Sequence, residues 1–264
     1  MRRLTSFPCE GAALGASLDA AHGPIGLLMV TGGSQTRIGS HRMYERLAAA
    51  LAQKGFAAFR FDRRGVGDSA GEDPGFRASA HDLAAAAAAF RAQCPTVKRV
   101  IGFGLCDGAT ALALFAAEAG VDGLILVNPW LVEAEAGAPP AAAIKRHYRD
   151  RLLSREGWGK ILSGSISYRK LFEGLRRIAN PGPSDLAGET AAALVAHGIP
   201  LVLILSRKDA TAVAAEDIWQ SPMFRSIRET AGAPIYIETD SHTFARFGDA
   251  DALLAACQEA LGRF

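Results

Sequence analysis

The chain has 264 residues, 49% of them hydrophobic, enough to bury one large α/β core with an insertion or two small domains. Lys and Arg number 29 against 27 Asp and Glu, a formal charge of +2 that marks no nucleic-acid partner. The four cysteines stand apart with no C-x-x-C pair, which argues against a disulfide framework and against zinc-ligand spacing.

The same scatter fits a reducing compartment. The opening MRRLTSFPCEG has no apolar signal-peptide stretch, and no run of about 20 uncharged apolar residues follows. A cytoplasmic location is therefore expected.

Residues 3–20 read as a hairpin, with runs near 4–9 and 14–18 around a turn at Glu10-Gly11. Residues 25–30 (IGLLMV) form an unbroken apolar run, the pattern of a strand covered on both faces. Residues 42–54 read as a helix with Met43, Leu47 and Leu51 on one face and Gly55 closing it. Residues 57–61 are the next strand, followed by a loop from Asp62 to Ser69 and an Ala-rich helix over 78–93. Residues 99–118 read as strand, tight turn and helix, and 123–127 as a strand ending at Asn128-Pro129-Trp130. Alternating strand and helix patterns predict a doubly wound, mostly parallel sheet. Its ligand belongs beyond the carboxyl ends of the strands.

The rhythm breaks over 131–190. Helical pieces are expected near 140–153, 155–163 and 167–179, and Pro181-Gly182-Pro183 ends the stretch. We read it as a helical cap, a lid over the rim, with 1–130 and 191–264 forming the core. Ten Lys and Arg from Lys145 to Arg177 face only Asp150, Glu156 and Glu173, so this stretch is +7 and the rest of the chain −5. Such a face is either solvated or attracts an anionic substrate or an anionic membrane surface. Beyond it, helices are expected at 191–197, 223–230 and 250–261, and strands at 200–205 and 234–237.

The chemistry centres on Gly104-Leu105-Cys106-Asp107-Gly108. Strand, tight turn and helix is the setting of a nucleophile elbow, where the flanking glycines let strand and helix approach. Ser is usual at the centre; a thiol does the same acyl chemistry when a neighbour takes its proton. A free Cys also packs as a small hydrophobe. A dinucleotide loop over Gly102, Gly104 and Gly108 fits poorly, because earlier strands precede it and no acid follows at the ribose spacing. No metal and no organic cofactor is called for.

Asp209 and His242 each follow a later strand, so nucleophile, acid and histidine stand in a consistent chain order. His242 would take the proton of Cys106, and Asp209 would fix the imidazole tautomer. The oxyanion would need two backbone N–H donors, those of Asp107 and Gly33. Ser34, Arg37, His41, Asn128 and Trp130 stand on the same rim as candidates for binding substrate. Other readings stay open: Asp209 as a helix N-cap, Asp240 as the acid, and Arg37 and His41 as polar residues at a helix start. Asp62 reads as a brace for its own loop. His197 and His147 compete less well with His242, one lying at the wrong end of a strand and the other in the cap.

On these residues the chain resembles the α/β-hydrolases over its whole length. More narrowly, it resembles the exosortase A system-associated hydrolases, type 1. The likeness rests on Gly32-Gly33, Gly39-Ser40-His41-Arg42, and Arg60-Phe61-Asp62-x-x-Gly65-x-Gly67-Asp68-Ser69. It continues in the Cys106 elbow, in Asn128-Pro129-Trp130, and in His147-Tyr148 and Arg151-Leu152-Leu153-Ser154-Arg155 of the cap. The resemblance implies the α/β-hydrolase fold and a bacterial protein encoded near protein-sorting and exopolysaccharide genes. The function expected is acyl hydrolysis of an ester or thioester, small or carrier-bound, and the basic cap biases the expectation toward an anionic one such as a phosphopantetheine thioester or acidic glycan ester. An acyltransferase with the same triad and a non-catalytic hydrolase-like binding protein are the alternatives, and the oligomeric state is not specified.

Overall fold

From residue 25 onward the strand sequences are mostly apolar, and the sheet is built accordingly. The structure, a computed structural model, describes residues 2–132 and 185–264. β1 (Arg2–Cys9) and β2 (Ala12–Asp19) form the expected antiparallel hairpin, pairing Cys9 with Ala12. Its turn residues Glu10 and Gly11 both have positive φ, 46° and 80°, the geometry that matches strand twist in a two-residue loop. β3 (Ile25–Val30), β4 (Ala57–Phe61), β5 (Arg99–Leu105), β6 (Gly123–Val127), β7 (Leu201–Ser206) and β8 (Ile235–Ile237) complete the sheet. Its order is β1-β2-β4-β3-β5-β6-β7-β8. β2 meets β4 antiparallel, and every pairing beyond β4 is parallel.

Alternate residues of the central strands feed two separate layers. Leu28 and Val30 of β3 join Phe59, Val100 and Leu124 on one face. Leu27 and Met29 join Ile101, Phe103 and Ile125 on the other. The first face is covered by α2 (Ala80–Gln93), α3 (Asp107–Ala119) and α4 (Asp185–His197). The second is covered by α1 (Met43–Gln53) and α7 (Asp249–Leu261). Such two-sided burial explains why these strands carry no polar alternation.

Two differences from the sequence reading stand out. The helix expected at 191–197 begins earlier, as α4 from Asp185, and Leu186 and Ala187 in its first turn are already buried. A helix, α5 (Ala210–Trp219), follows β7 where only an N-cap at Asp209 is foreseen, and α6 (Arg225–Ala231) comes after it. The three helical pieces of the cap, its basic face and His147 lie outside the described residues.

Candidate active site

β5 ends at Leu105 and α3 begins at Asp107, so Cys106 alone makes the turn, at φ 60° and ψ −127°. A non-glycine residue held in such a sparsely populated region stores roughly 1–3 kcal/mol. Its neighbours hold it there. The Cys106 N–H donates to the Val127 carbonyl at 3.0 Å, and its carbonyl accepts the Trp130 N–H at 3.2 Å. Helix and strand approach closely on either side. A Cβ on Gly104 would lie 2.7 Å from the Gly108 carbonyl oxygen, and one on Gly108 2.6 Å from that of Val30. The bend leaves Cys106 half-buried, while Cys9, Cys94 and Cys257 are buried.

His242 lies in the loop after β8. Its Nδ1 stands 3.0 Å from Asp209 Oδ2, and its ring shares a hydrogen bond with the Cys106 side chain. Burial alone would lower the imidazole pKa. The bonds to Asp209 and Cys106, with their charges, outweigh burial and raise it to about 10. Asp209 is buried, and its Oδ2 also accepts the Ala212 N–H at 2.9 Å, capping α5. One Asp209 oxygen thus both caps a helix and holds an imidazole.

The competing groups are engaged elsewhere. Asp240 sits on the surface in a two-pronged pair with Arg246, at 2.9 and 3.1 Å, which holds its carboxyl below the usual range. His197 donates from Nε2 to the Ala113 carbonyl and accepts the Ile199 N–H on Nδ1, each at 3.1 Å. Those two bonds give the ring a structural role.

Several of the expected substrate contacts have structural duties. Asn128 is fully buried; its amide exchanges two bonds with Ser206, at 3.0 and 2.8 Å, tying the end of β6 to that of β7. Arg37 spends its side chain on Ser17, Asp62 and Asp68. Asp62 in turn accepts the Asp68 N–H at 3.1 Å and braces its loop. His41 reaches across the rim to the Thr243 carbonyl at 2.7 Å, holding the residue next to His242. Ser34 is exposed beside the elbow turn, and the Trp130 side chain is partly exposed. Gly33 is in place, but its N–H donates to Asp107 Oδ1 at 2.6 Å. In this state that amide serves a carboxylate rather than a substrate oxygen.

Sequence reasoning passed over Tyr44. Its buried hydroxyl donates to the Val30 carbonyl at 2.8 Å and accepts the Leu105 N–H at 3.1 Å. It thus spans the ends of β3 and β5, which lead into the glycine turn and the elbow. The signal available was a phenol on the apolar face of α1, beside Met43 and Leu47. Tyr44→Phe keeps the ring and strands both backbone groups. We expect a loss of about 1–3 kcal/mol in denaturant unfolding, with a fall in turnover. Unchanged stability would contradict this role.

Among the described residues no helix is long and apolar enough to cross a membrane. A mostly parallel sheet with a strained elbow and an acid-held histidine after its last strand defines an α/β-hydrolase. The sequence model of the serine aminopeptidase, S33 family matches residues 33–170, and the chain belongs to that family. No curated protein matches the sequence. Among solved structures, an esterase of Pyrococcus furiosus is similar at a TM-score of 0.65 and 14% identity, covering 100% of this chain and 91% of that one. A Xanthomonas campestris serine hydrolase without a lid is similar at 0.61 and 19%, covering 99% and 94%. A dienelactone hydrolase of Anabaena variabilis is similar at 0.63 and 16%, covering 100% and 98%. At these identities the likeness is one of fold.

Proposed function

We propose that the protein hydrolyses an ester or thioester through an acyl-thioenzyme on Cys106. The observation that carries this reading is the continuous hydrogen-bonded chain from Asp209 through His242 to Cys106. The family is described by serine chemistry, and here the elbow residue is Cys. A thiol beside an imidazole of raised pKa is readily held as a thiolate–imidazolium pair.

In this mechanism the Cys106 sulfur attacks the acyl carbon, its proton having passed to His242. The carbonyl oxygen becomes an oxyanion facing the Asp107 and Gly33 amides. As the tetrahedral intermediate collapses, His242 protonates the departing alcohol or thiol. Water then attacks the thioester, giving its proton to His242, and the carboxylic acid leaves as the sulfur is released. Asp209 keeps the imidazole in place and steadies its charge throughout. No metal or organic cofactor enters these steps.

The positive stretch between Lys145 and Arg177 supports an anionic acyl donor or a carrier-bound one, and offers a surface for acidic membranes. The Gly39-to-Arg42 and cap motifs support the exosortase-associated subtype in a bacterial cytoplasm. A panel of p-nitrophenyl and acyl-CoA esters tests the reading. We expect hydrolysis of at least one, with an initial burst of about one product per enzyme. Silence across the panel would contradict it.

A further inference from the structure

The carboxylate of Asp107 occupies the position where a substrate oxygen would be received. Its Oδ1 lies 2.6 Å from the Gly33 nitrogen. A Cβ on Gly32 would stand 2.6 Å from that oxygen and 3.1 Å from Cys106 Cβ, so carboxylate, glycine turn and nucleophile crowd one small volume. At the other end of the same residue, the Arg63 guanidinium donates to the Gly33 carbonyl. Arg63 is 3% exposed, and its Nη1 has no hydrogen-bond partner among the described residues. The neighbouring acids are taken: Asp62 pairs with Arg37, and Asp82 with Arg64. A buried cation this close to the turn adds positive potential, which favours an anion at the Gly33 amide. The turn is thus built to hold one anion.

We propose that Asp107 is a specificity-determining residue, its carboxylate filling the oxyanion seat at rest and leaving it only when the acyl oxygen of a well-bound substrate displaces it. This rests on the Cys106 reading above. Two anions cannot share one amide, since the second meets the repulsion of the first. A small ester brings little binding energy to expel the carboxylate. A full substrate, held through contacts remote from the reacting carbon, can spend that binding on displacement. Asp107 in this way slows acylation of Cys106 by adventitious esters while sparing the intended one.

The test compares wild type, Asp107→Ala and Asp107→Asn in acylation by p-nitrophenyl acetate, with iodoacetamide alkylation of Cys106 alongside. Alkylation forms no oxyanion and reports the thiol alone. We expect Ala to raise kcat/KM for the small ester by about tenfold to a hundredfold, up to the lower bound of the roughly hundredfold to thousandfold that one oxyanion donor commands. Asn, which can still accept from Gly33 without the charge, should fall between Ala and wild type. Alkylation should rise by less than acylation in both. The nearly isosteric Asn variant keeps the test alive if Ala does not fold. Acylation unchanged or slower in both folded variants, with Cys106 still alkylated, would overturn the proposal. Turnover that survives Cys106→Ala would instead overturn the nucleophile itself, so the two failures are told apart.

Discussion

Cys106→Ala removes ester hydrolysis, lowering kcat/KM by at least about a thousandfold. The expectation follows from where the thiols are. Cys9, Cys94 and Cys257 are buried, and only Cys106 is partly open and bonded to His242. No second sulfur can take over. The substitution removes a single sulfur from a half-buried position, and Ala must adopt the same positive φ of 60°. Elbow strain is therefore retained, and the melting temperature should stay near that of wild type. A large activity loss with an intact fold separates a chemical role from a packing role. Undiminished turnover would reject the nucleophile.

Asp209→Asn has the second largest expected effect, and it divides the two duties of one oxygen. Asn caps helices about as well as Asp, so α5 keeps its start through Ala212. The charge beside His242 is lost, and turnover should fall by about 100- to 10,000-fold, as when a triad acid becomes an amide. Stability should respond to pH in a defined sense. The imidazole pKa is raised from 6.5 to about 10 in the folded protein. Its contribution is therefore complete below about pH 6.5 and is lost as pH rises through about 10. Wild type should exceed Asp209→Asn in stability near neutral pH, and the gap should close toward pH 10. Any gap that persists there measures the cap. Denaturant unfolding at the two pH values checks this, and a gap independent of pH would leave Asp209 as a cap alone.

Much of the fold was legible because burial on both faces writes itself as predominantly apolar sequence, broken in β4 only by the buried Arg60. β3, β4 and β6 fall on the runs expected for them. α5 was not, because Ala, Thr and Val dominate its first turns, and its main signal was the capping Asp209. The start of α4 was hidden likewise by Gly188 and Thr190 amid a charged stretch. Chain order after strands singled out Cys106, Asp209 and His242, which the structure brings together. Polar residues on the rim were less readable, since a sequence shows residue type and not partner. Asn128 is taken up by Ser206, 78 positions away, and Gly33 by Asp107, 74 positions away. Tyr44 was missed for the same reason: what its hydroxyl bridges is decided by two strands brought together only by folding.

The most direct measurement is the intact mass of the protein quenched during turnover of a p-nitrophenyl ester, followed by peptide mapping. The account predicts one added acyl group, carried on the peptide containing Cys106 and absent from Cys106→Ala. Hydrolysis that proceeds with no covalent adduct, or with the acyl group on another residue, would contradict it.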